Sequence, residues 1–533
     1  MRALFPLNRI AARRWSIFLP GSMAVAVRLV LLPWVHIPYP ATHDEFSYLL
    51  GADTLSRGRL TNPTHPLWKF FETIHVISIP TYASKYPPGQ AFFLAIGERL
   101  FGHPFFGSVL ACFVFVAAVV WMLRAWMSSE MALLGGLIVA VAFGSGNYWL
   151  DSYWGGFVGC TGAALVVGSL GRMRNEKRLC TPWHLAAGAI LLWFTRPFEG
   201  AFLVLAAGLL LLFDVVHGKI KEKIRWDAGH IRSFIAVLLG CAVATLGFQA
   251  YYDHRVTGQY SLLPYQLHQK QYNYEPVLWF QHPQVPTLDA NPIVQKYHKD
   301  WEFNEYLERR DLMLGRLRGS RLQRLITPPE PKELLKAVQL IVAVVVICIL
   351  SILFWADREV KALWSLLAIS SVPILLETFT FAHYMVGVTS VVIVLIFRLL
   401  SLCGELRWRD SERGMLLKAC LIGALLCASI GTNAYRVWRE VKDPFPFKVR
   451  RAHVEHELSN RDGMHVVFVH YSPDHDVSFE WVYNLADIDG QKIVWARDLG
   501  PETNRQLVSY YKARHFWMLN ADTDMPEPIE YQP

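Results

Sequence analysis

Charged residues are scarce in this 533-residue chain: they make up 18% of it, whereas a soluble domain has about a quarter of its residues charged. Hydrophobic residues make up 53% and come in long blocks rather than in short periodic stripes. A membrane-spanning helix needs roughly 20 predominantly apolar residues, and many blocks have that length. The composition therefore excludes an ordinary soluble protein and predicts a multi-spanning integral membrane protein.

Two further absences narrow the function. No glycine-rich phosphate loop occurs in the chain, so nothing supports nucleotide binding. None of the eight cysteines lies in a long polar segment, so those segments fold without disulfides if they lie outside the cytoplasm. The formal net charge of +8 comes mostly from short loops between apolar blocks, which argues against a nucleic-acid partner and for a role in membrane orientation.

Block length predicts about eleven membrane spans. The connectors between them alternate between short basic ones and others that hold the chemically interesting residues. Basic connectors favour the cytoplasmic side, so the N-terminus is predicted to be cytoplasmic and the long loops to lie outside. The predicted spans lie near residues 16–36, 105–125, 131–147, 157–171, 183–195, 201–216, 233–251, 336–355, 362–377, 384–401 and 416–434. The basic connectors are Arg124–Met127, the segment with Arg172, Arg174, Lys177 and Arg178, Lys219–Arg225 with Arg232, Arg358 with Lys361, and Arg398–Lys418.

The polar segments divide the chain into two parts. Residues 1–435 hold the spans, with outer loops at 37–104 and 252–335, and residues 436–533 form a soluble C-terminal domain on the outer side. β-Branched and aromatic runs predict strands in this domain. We therefore expect a mainly α, polytopic membrane protein with a small α/β extracytoplasmic domain. The predicted strands are Val466–Tyr471, Lys492–Arg497 and His515–Leu519, with a helix at Glu502–Ala513.

An acidic pair follows the first predicted span. Thr42 and Glu45 have the spacing of a capping box, which predicts a helix that starts here and ends near Arg57-Gly58. Structural roles are open for both acids, since Glu45 can cap the helix and Asp44 can complement its dipole. The dipole also keeps Asp44 ionised within reach of a lipid headgroup, which favours a functional role for this carboxylate.

A rigid break follows in the same loop at Ser84-Lys85-Tyr86-Pro87-Pro88-Gly89. It precedes the apolar stretch Ala91–Phe101, which is too short to span and predicts a helix at the membrane interface. Lys85 then lies at headgroup depth. It can be a snorkelling lysine or a point charge that binds a phosphate.

Together these motifs resemble those of the GT-C superfamily, polytopic glycosyltransferases that use lipid-phosphate sugar donors. The resemblance rests on His43-Asp44-Glu45 and Lys85-Tyr86-Pro87-Pro88-Gly89, and is closest to the branch with protein O-mannosyltransferases and the aminoarabinose transferase of lipid A. Aminoarabinose transferases have an acidic residue before the lysine, whereas this chain has Ser84, so their donor specificity does not carry over. Further segments are similar to bacterial members of unassigned substrate, namely Asp151–Gly156, Thr195–Gly200 and His383-Tyr384.

The resemblance implies an inverting transfer of a sugar from a polyprenyl phosphate to a lipid, glycan or protein acceptor. It implies that Asp44 and Glu45 are catalytic, with Asp44 as the general base. A cation near the departing phosphate assists such a reaction, and Lys85 is the first candidate and Arg196 the second. The bacterial members also imply an inner-membrane protein whose C-terminal domain lies in the periplasm.

Other polar residues are candidates for contact with the substrates. Structural alternatives stay open for several of them: an Arg196–Glu199 pair within a turn, an interfacial aromatic belt for Tyr153, and a hydrogen-bonded structural role for His383. The candidates are His43, His65, Tyr86, Asp151, Tyr153, Glu199, His268, His383 and Tyr384.

The sequence leaves a divalent metal open. No tight ligand spacing requires an ion. An arginine-dense segment over residues 309–324 suits anionic lipid or a diphosphate headgroup, although a solvated face is the ordinary use of such a run. The possible metal ligands are His43, Asp44, Glu45, His65 and His383.

Two other functions compete with sugar transfer. A transporter or flippase requires charged or broken helices at mid-membrane depth, but Arg28 is the only clear basic residue well inside a predicted span. A non-catalytic envelope-assembly protein would use the C-terminal domain to bind a partner. Polar residues gather at the outer ends of the spans, which favours the transferase.

Overall fold

The computed structural model describes residues 5–175, 182–217, 228–316, 331–405 and 412–532. Some of the predicted basic connectors and part of the arginine-dense segment lie outside the described residues. These parts are Lys177, Arg178, Lys219–Arg225, residues 406–411, Arg318, Arg321 and Arg324.

Most described residues are helical. Each of the eleven predicted spans coincides with a helix, because a long apolar block must satisfy its backbone hydrogen bonds within itself. The helices are α1 (Phe5–Ala11), α2 (Phe18–Val30), α3 (His43–Ser56), α4 (Pro88–Phe101), α5 (Phe105–Leu123), α6 (Ser129–Phe143), α7 (Phe157–Asn175), α8 (Pro182–Trp193), α9 (Pro197–Val216), α10 (Ala228–Thr257), α11 (Pro264–Tyr272), α12 (Pro292–Lys296), α13 (Phe303–Met313), α14 (Pro331–Leu353), α15 (Arg358–Ser370), α16 (Val372–Leu376), α17 (Val386–Cys403), α18 (Glu412–Lys442), α19 (Pro446–Ser459) and α20 (Pro501–Tyr510).

Six of the described helical segments are long and apolar enough to cross a membrane, and the chain is an integral membrane protein. The other predicted spans lie on helices outside this group of six, so the number of eleven stays a prediction. The six are α5, α9, α10, α15 together with α16, α17 and α18.

Small residues let helices at the centre of the bundle approach closely. A Cβ atom on Gly97 of α4 would lie 2.0 Å from the backbone nitrogen of Gly107 in α5. A Cβ atom on Gly162 of α7 would lie 2.8 Å from the carbonyl oxygen of Gly188 in α8. Such contacts leave the backbones packed directly against each other and fix the helix ends from which the long loops extend.

The first long loop (residues 37–104) begins with α3, whose N-terminus has the predicted capping box. Thr42 and Glu45 are both bonded in that box, and the helix ends at Ser56, shortly before Gly58 in a left-handed conformation with a φ of 72°. The predicted start and end of this helix are therefore confirmed. Three short strands follow in the order β1-β3-β2. They are β1 (Asn62–Pro63), β2 (Val76–Ile77) and β3 (Thr81–Ser84).

The C-terminal segment forms a four-stranded sheet in the order β5-β4-β6-β7, which we call the C-terminal sheet. β4 is parallel to β5 and β6, and β7 is antiparallel to β6. One face of the sheet packs on α19 and the other on the first long loop, so apolar residues fill both faces and the predicted strands are confirmed. The strands are β4 (His465–His470), β5 (Ile493–Arg497), β6 (His515–Asn520) and β7 (Ile529–Glu530).

Candidate active site

A cavity of about 550 Å³ lies where the two long loops meet the helix ends. Its wall comes from the first long loop, the start of α9, the second long loop (residues 252–335) and the turn before α17. These segments are distant in sequence, so only the fold places their side chains together. Six residues that the sequence singled out line this cavity: Asp44, Lys85, Tyr86, Arg196, Glu199 and Tyr384.

Asp44 faces the cavity from the first turn of α3. The phenol of Tyr86 donates a hydrogen bond to its carboxylate, and the Nδ1 atom of His75 lies 3.2 Å from Asp44 Oδ1. Burial opposes ionisation, but His75, Tyr86 and Lys85 together hold the pKa of this carboxyl well below its usual range. Asp44 is therefore ionised and can accept a proton.

His75 is a cavity residue that sequence reasoning missed. Its backbone has a left-handed φ of 63°, which is uncommon for a residue other than glycine. One ring nitrogen faces Asp44, and the other, Nε2, lies 3.3 Å from Glu302 Oε1 in the second long loop. No signal in the sequence could have marked His75, because both carboxylate partners come from distant parts of the chain. The imidazole links the two long loops at the cavity wall.

Lys85 enters the cavity beside Asp44. Its side chain is only 4% exposed, and its ammonium lies 5.3 Å from the ring centroid of Tyr86 and 5.4 Å from that of Tyr265. The described residues offer this ammonium no hydrogen bond or ion pair. Burial lowers the pKa of Lys85, although Glu302 and Asp44 favour its charged form. A buried ammonium with no bonded anion among the described residues can bind the negative charge of a ligand.

Arg196 reaches the same cavity from the turn between α8 and α9. Its guanidinium lies 4.3 Å from the ring centroid of Tyr384, a cation–π contact. Glu199 lines the cavity without forming an ion pair with Arg196, so the turn-stabilising pair is not formed. Glu377 also lines it, and burial together with the nearby Glu199 raises the pKa of Glu377 to about 8. Among the described residues, Arg196 is thus a second cation at the cavity whose guanidinium forms no hydrogen bond or ion pair with a carboxylate.

Three buried side chains of the second long loop could hold a metal ion. Glu275, His298 and Glu302 each offer one ligand atom, and these atoms all lie within 4.8 Å of one another. The amide of Asn273 donates to both carboxylates, at 3.0 Å in the case of Glu302 Oε2. Glu275 Oε2, His298 Nε2 and His268 Nε2 are buried and lack a hydrogen-bond partner among the described residues. Carboxylate and imidazole donors of this kind suit a divalent cation such as zinc.

The metal ligands that the sequence left open do not form a site. Across the described ranges, no other group of three histidine, cysteine or acidic side chains gathers closely enough to share an ion. His268 was predicted to contact a substrate. Its ring lies beside the acidic cluster formed by Glu275, His298 and Glu302, and its Nδ1 atom lies 3.1 Å from Asn273 Oδ1. The three residues that do gather, Glu275, His298 and Glu302, belong to the second long loop. His298 and Glu302 are four residues apart, a spacing that suits two ligands on one helix face, whereas Glu275 is distant from both in the sequence.

Glu45 lies behind the cavity wall. One oxygen of its carboxylate accepts the backbone N–H of Ala41 at 2.8 Å, and the other accepts that of Tyr153 at 3.1 Å. Tyr153 is buried, and its phenol donates to the carbonyl oxygen of Pro38 at 2.7 Å. Both side chains hold the chain where it enters α3 and do not line the cavity.

Asp151 and His383 also form pairs outside the cavity wall. Asp151 accepts a hydrogen bond from Arg28 at 3.1 Å, and this arginine is 1% exposed. Arg28, the basic residue inside a predicted span, is therefore paired with an acid from the α6–α7 turn. His383 Nδ1 lies 3.0 Å from the phenol oxygen of Tyr148. The structure thus gives both predicted substrate contacts structural partners.

His43 and His65 contact the C-terminal segment. His43 Nδ1 lies 2.9 Å from the phenol oxygen of Tyr483, and His65 Nε2 lies 3.2 Å from Asp489 Oδ1. Neither histidine lines the cavity. Both lie in the interface between the first long loop and the C-terminal sheet.

The cavity has the groups for transfer of an anionic leaving group. Asp44 is an ionised carboxylate that can take a proton, and within the described parts of the chain no carboxylate is bonded to the cations Lys85 and Arg196. Tyr86 and His75 hold the carboxylate in one orientation, which lowers the entropy cost of a reaction at this point.

Comparison with known proteins gives structural similarities only. No protein-family model and no curated protein matches the sequence. ArnT from Cupriavidus metallidurans bound to undecaprenyl phosphate is similar with a TM-score of 0.45 and 10% identity, over 94% of this chain and 92% of that one. The oligosaccharyltransferase of Archaeoglobus fulgidus in complex with zinc and sulfate has a TM-score of 0.42 and 11% identity, over 85% of this chain and 60% of that one.

A further structure is similar to the same degree. It is the oligosaccharyltransferase AglB of Archaeoglobus fulgidus in complex with an inhibitory peptide and a dolichol-phosphate, with a TM-score of 0.41, 13% identity and coverage of 85% of this chain and 62% of that one. The chain thus spans about 60% of the length of the archaeal enzyme.

Proposed function

We propose that this chain is a membrane glycosyltransferase that moves a sugar from a polyprenyl-phosphate donor to a lipid, glycan or protein acceptor. The observation that carries the proposal is the cavity in which Asp44, Lys85 and Arg196 meet. A carboxylate and a pair of cations are the groups that the reaction needs at its acceptor and leaving-group ends. Aromatic and apolar side chains make up much of the wall, which suits a lipid-linked substrate.

In the proposed reaction, an acceptor hydroxyl or amine gives its proton to Asp44 while its oxygen or nitrogen attacks the anomeric carbon of the sugar. The bond from that carbon to the phosphate oxygen breaks, and its electron pair leaves with the phosphate. Direct displacement inverts the anomeric centre. The phosphate departs as a stable anion, so a nearby cation assists more than a strong acid does, and Lys85 and Arg196 take that role.

Glu275, His298 and Glu302 are the residues that would hold a divalent cation. When bound, such an ion adds positive charge that favours a phosphate or diphosphate in the cavity. The acid–base and leaving-group roles above are carried by side chains of the chain itself.

We further propose that the cavity opens on the side of a bacterial inner membrane away from the cytoplasm. α9 begins at the cavity and ends before a basic connector, and basic connectors favour the cytoplasmic side. The N-terminus is then cytoplasmic, and the first long loop and the C-terminal sheet are periplasmic.

The test is sugar transfer by the purified chain in lipid vesicles, with a panel of radiolabelled polyprenyl-phosphate sugars. Asp44→Asn should reduce turnover by about a thousandfold, because it removes the general base, and Lys85→Ala should reduce it by about a hundredfold. Lys69→Ala, an exposed lysine of the same loop, is the matched control and should transfer at the wild-type rate. Equal transfer by all four proteins would exclude the mechanism, and absence of transfer by the wild type would favour a flippase or assembly role.

A further inference from the structure

The C-terminal sheet and the first long loop share one apolar core. Leu50, Phe70 and Val76 of the loop pack in the same buried cluster as Val466 and Phe468 of β4. A sheet that contributes to the core of a loop is held to it by the burial of apolar surface. The loop that carries Asp44 is therefore supported from outside the helix bundle.

One side chain from this part of the chain touches the segments next to the cavity. The phenol oxygen of Tyr483 lies 2.9 Å from His43 Nδ1 and donates to the carbonyl oxygen of Ile74 at 3.2 Å. Its ring stacks on that of Phe46, with centroids 4.4 Å apart and an interplanar angle of 3°. Burial lowers the pKa of His43 to about 3, so its imidazole is neutral and shares a hydrogen bond with the phenol.

The two groups that Tyr483 contacts are sequence neighbours of the acid–imidazole pair. His43 precedes Asp44, and Ile74 precedes His75, whose Nδ1 lies 3.2 Å from Asp44 Oδ1. One hydroxyl thus ties together the two chain segments that must stay in register for this pair to form. A displacement of about 1 Å at such a pair is enough to slow a reaction by about a hundredfold.

Tyr483 is itself held firmly. Arg451 of α19 donates to the carbonyl oxygen of Trp481 and, at 3.3 Å, to that of Tyr483. The same guanidinium lies 4.6 Å from the ring centroid of Phe46. A side chain whose backbone is fixed in this way can impose its position on a partner.

The far end of α3 is held by the same stretch of chain. The backbone N–H of Ala486 donates to Asp53 Oδ2 at 2.8 Å, and Asp53 lies about two and a half turns after Asp44 in α3. The phenol of Tyr82 in β3 donates to the carbonyl oxygen of Asn484 at 2.8 Å. Contacts near both ends fix the direction of the helix axis as well as its start.

We propose that Tyr483 is a positioning residue for Asp44, and that the C-terminal sheet is a working part of the transfer site and not a separate partner-binding module. The inference rests on the proposed function for the role of Asp44. The placement of the two loop segments by Tyr483 can be tested without any transfer reaction.

The first experiment is hydrogen–deuterium exchange of the full chain in lipid nanodiscs. Tyr483→Phe keeps the ring stack and removes the hydroxyl, so peptides over residues 41–50 and 72–78 should exchange about fivefold faster than in the wild type. Tyr511→Phe is the matched control, since this buried tyrosine lies in the same core and bonds Asp489, whose partner in the first long loop, His65, lies outside both peptides. It should leave both peptides unchanged. Equal exchange in the two variants would overturn the inference.

The second experiment is transfer of the labelled sugar accepted by the wild-type chain. Tyr483→Phe should lower kcat about tenfold and leave the KM for the donor unchanged, because Lys85 and Arg196 are untouched. His43→Leu removes the same hydrogen bond from the loop side and should have the same effect, so the inference stays testable if Tyr483→Phe folds poorly. Wild-type kcat in both variants would overturn it and leave the proposed function standing. Absence of Asp44-dependent transfer in the wild type would remove the proposed function, and the exchange result would still decide the placement of the loop.

Discussion

The backbone N–H of Gly89 donates to the carbonyl oxygen of Phe194 at 2.7 Å, and this contact ties the Lys85 segment to the Arg196 segment. A Cβ atom at residue 89 would lie 2.5 Å from that oxygen, so only glycine allows the approach. The two cations of the cavity come from different loops, and their proximity depends on a position where no side chain fits.

Gly89→Ala should therefore weaken binding of a lipid phosphate. The added methyl group pushes the two segments apart, so the two cations can no longer both contact one phosphate at a favourable distance. We expect the affinity to fall about tenfold. Binding of undecaprenyl phosphate to the purified chain, measured by its effect on thermal unfolding, checks this. Gly208→Ala is the control, because a Cβ atom there meets nothing within 4 Å. Equal affinity in the two variants would show that the cations act separately.

Replacing His75 should shift the pH dependence of transfer through its effect on Asp44. Burial raises the pKa of Asp44, and His75 is the main group that outweighs this and holds it low. Without the imidazole the pKa of Asp44 rises, the carboxylate is protonated at a higher pH, and the acid limb of the kcat/KM profile moves upward. Asn tolerates the left-handed backbone at residue 75, so His75→Asn is the variant of choice. A profile with an unshifted acid limb would mean that another group is the base.

Local signals explain which parts of this site the sequence could predict. The start of α3 was predictable because Thr42 and Glu45 are three residues apart, and a capping box is a local structure. The Lys85 segment was predictable for the same reason, since prolines and a glycine mark it directly. His75 and Tyr483 could not be found in this way, because their partners lie far away in the sequence.

The same distinction applies to the acids. Glu45 and Asp44 are adjacent in a helix, so their side chains point in different directions, one into the cap and one into the cavity. The sequence motif placed both at the site but could not tell which one faces it. The strands of the C-terminal sheet were predictable from apolar runs. The packing of one face of this sheet on the first long loop was not predictable, because long-range packing leaves no periodic signal in the sequence.

Metal content should decide the role of the acidic cluster in the second long loop. If Glu275, His298 and Glu302 hold a divalent ion, the purified chain should contain about one equivalent of metal by elemental analysis. The His298→Ala variant should lose most of this metal and unfold at a lower temperature. His515 is an exposed histidine of β6, so the His515→Ala variant should keep both its metal content and its unfolding temperature. Metal-free wild-type chain with an unchanged unfolding temperature after chelation would contradict the metal site.

Asp151→Asn should lower the free energy of unfolding without changing the binding of the substrates. Arg28 is almost fully buried. In the variant it keeps its hydrogen bonds to the carbonyl oxygens of Val35 and His36 but loses its carboxylate partner. Loss of one member of a mostly buried ion pair leaves the other charge uncompensated, which we expect to cost about 2 kcal/mol. Thermal unfolding measures this cost, with Asp524→Asn at a fully exposed position as the control. A raised KM for the acceptor with unchanged stability would instead make Asp151 a substrate contact, and the cavity would then have to extend to the turn before α7.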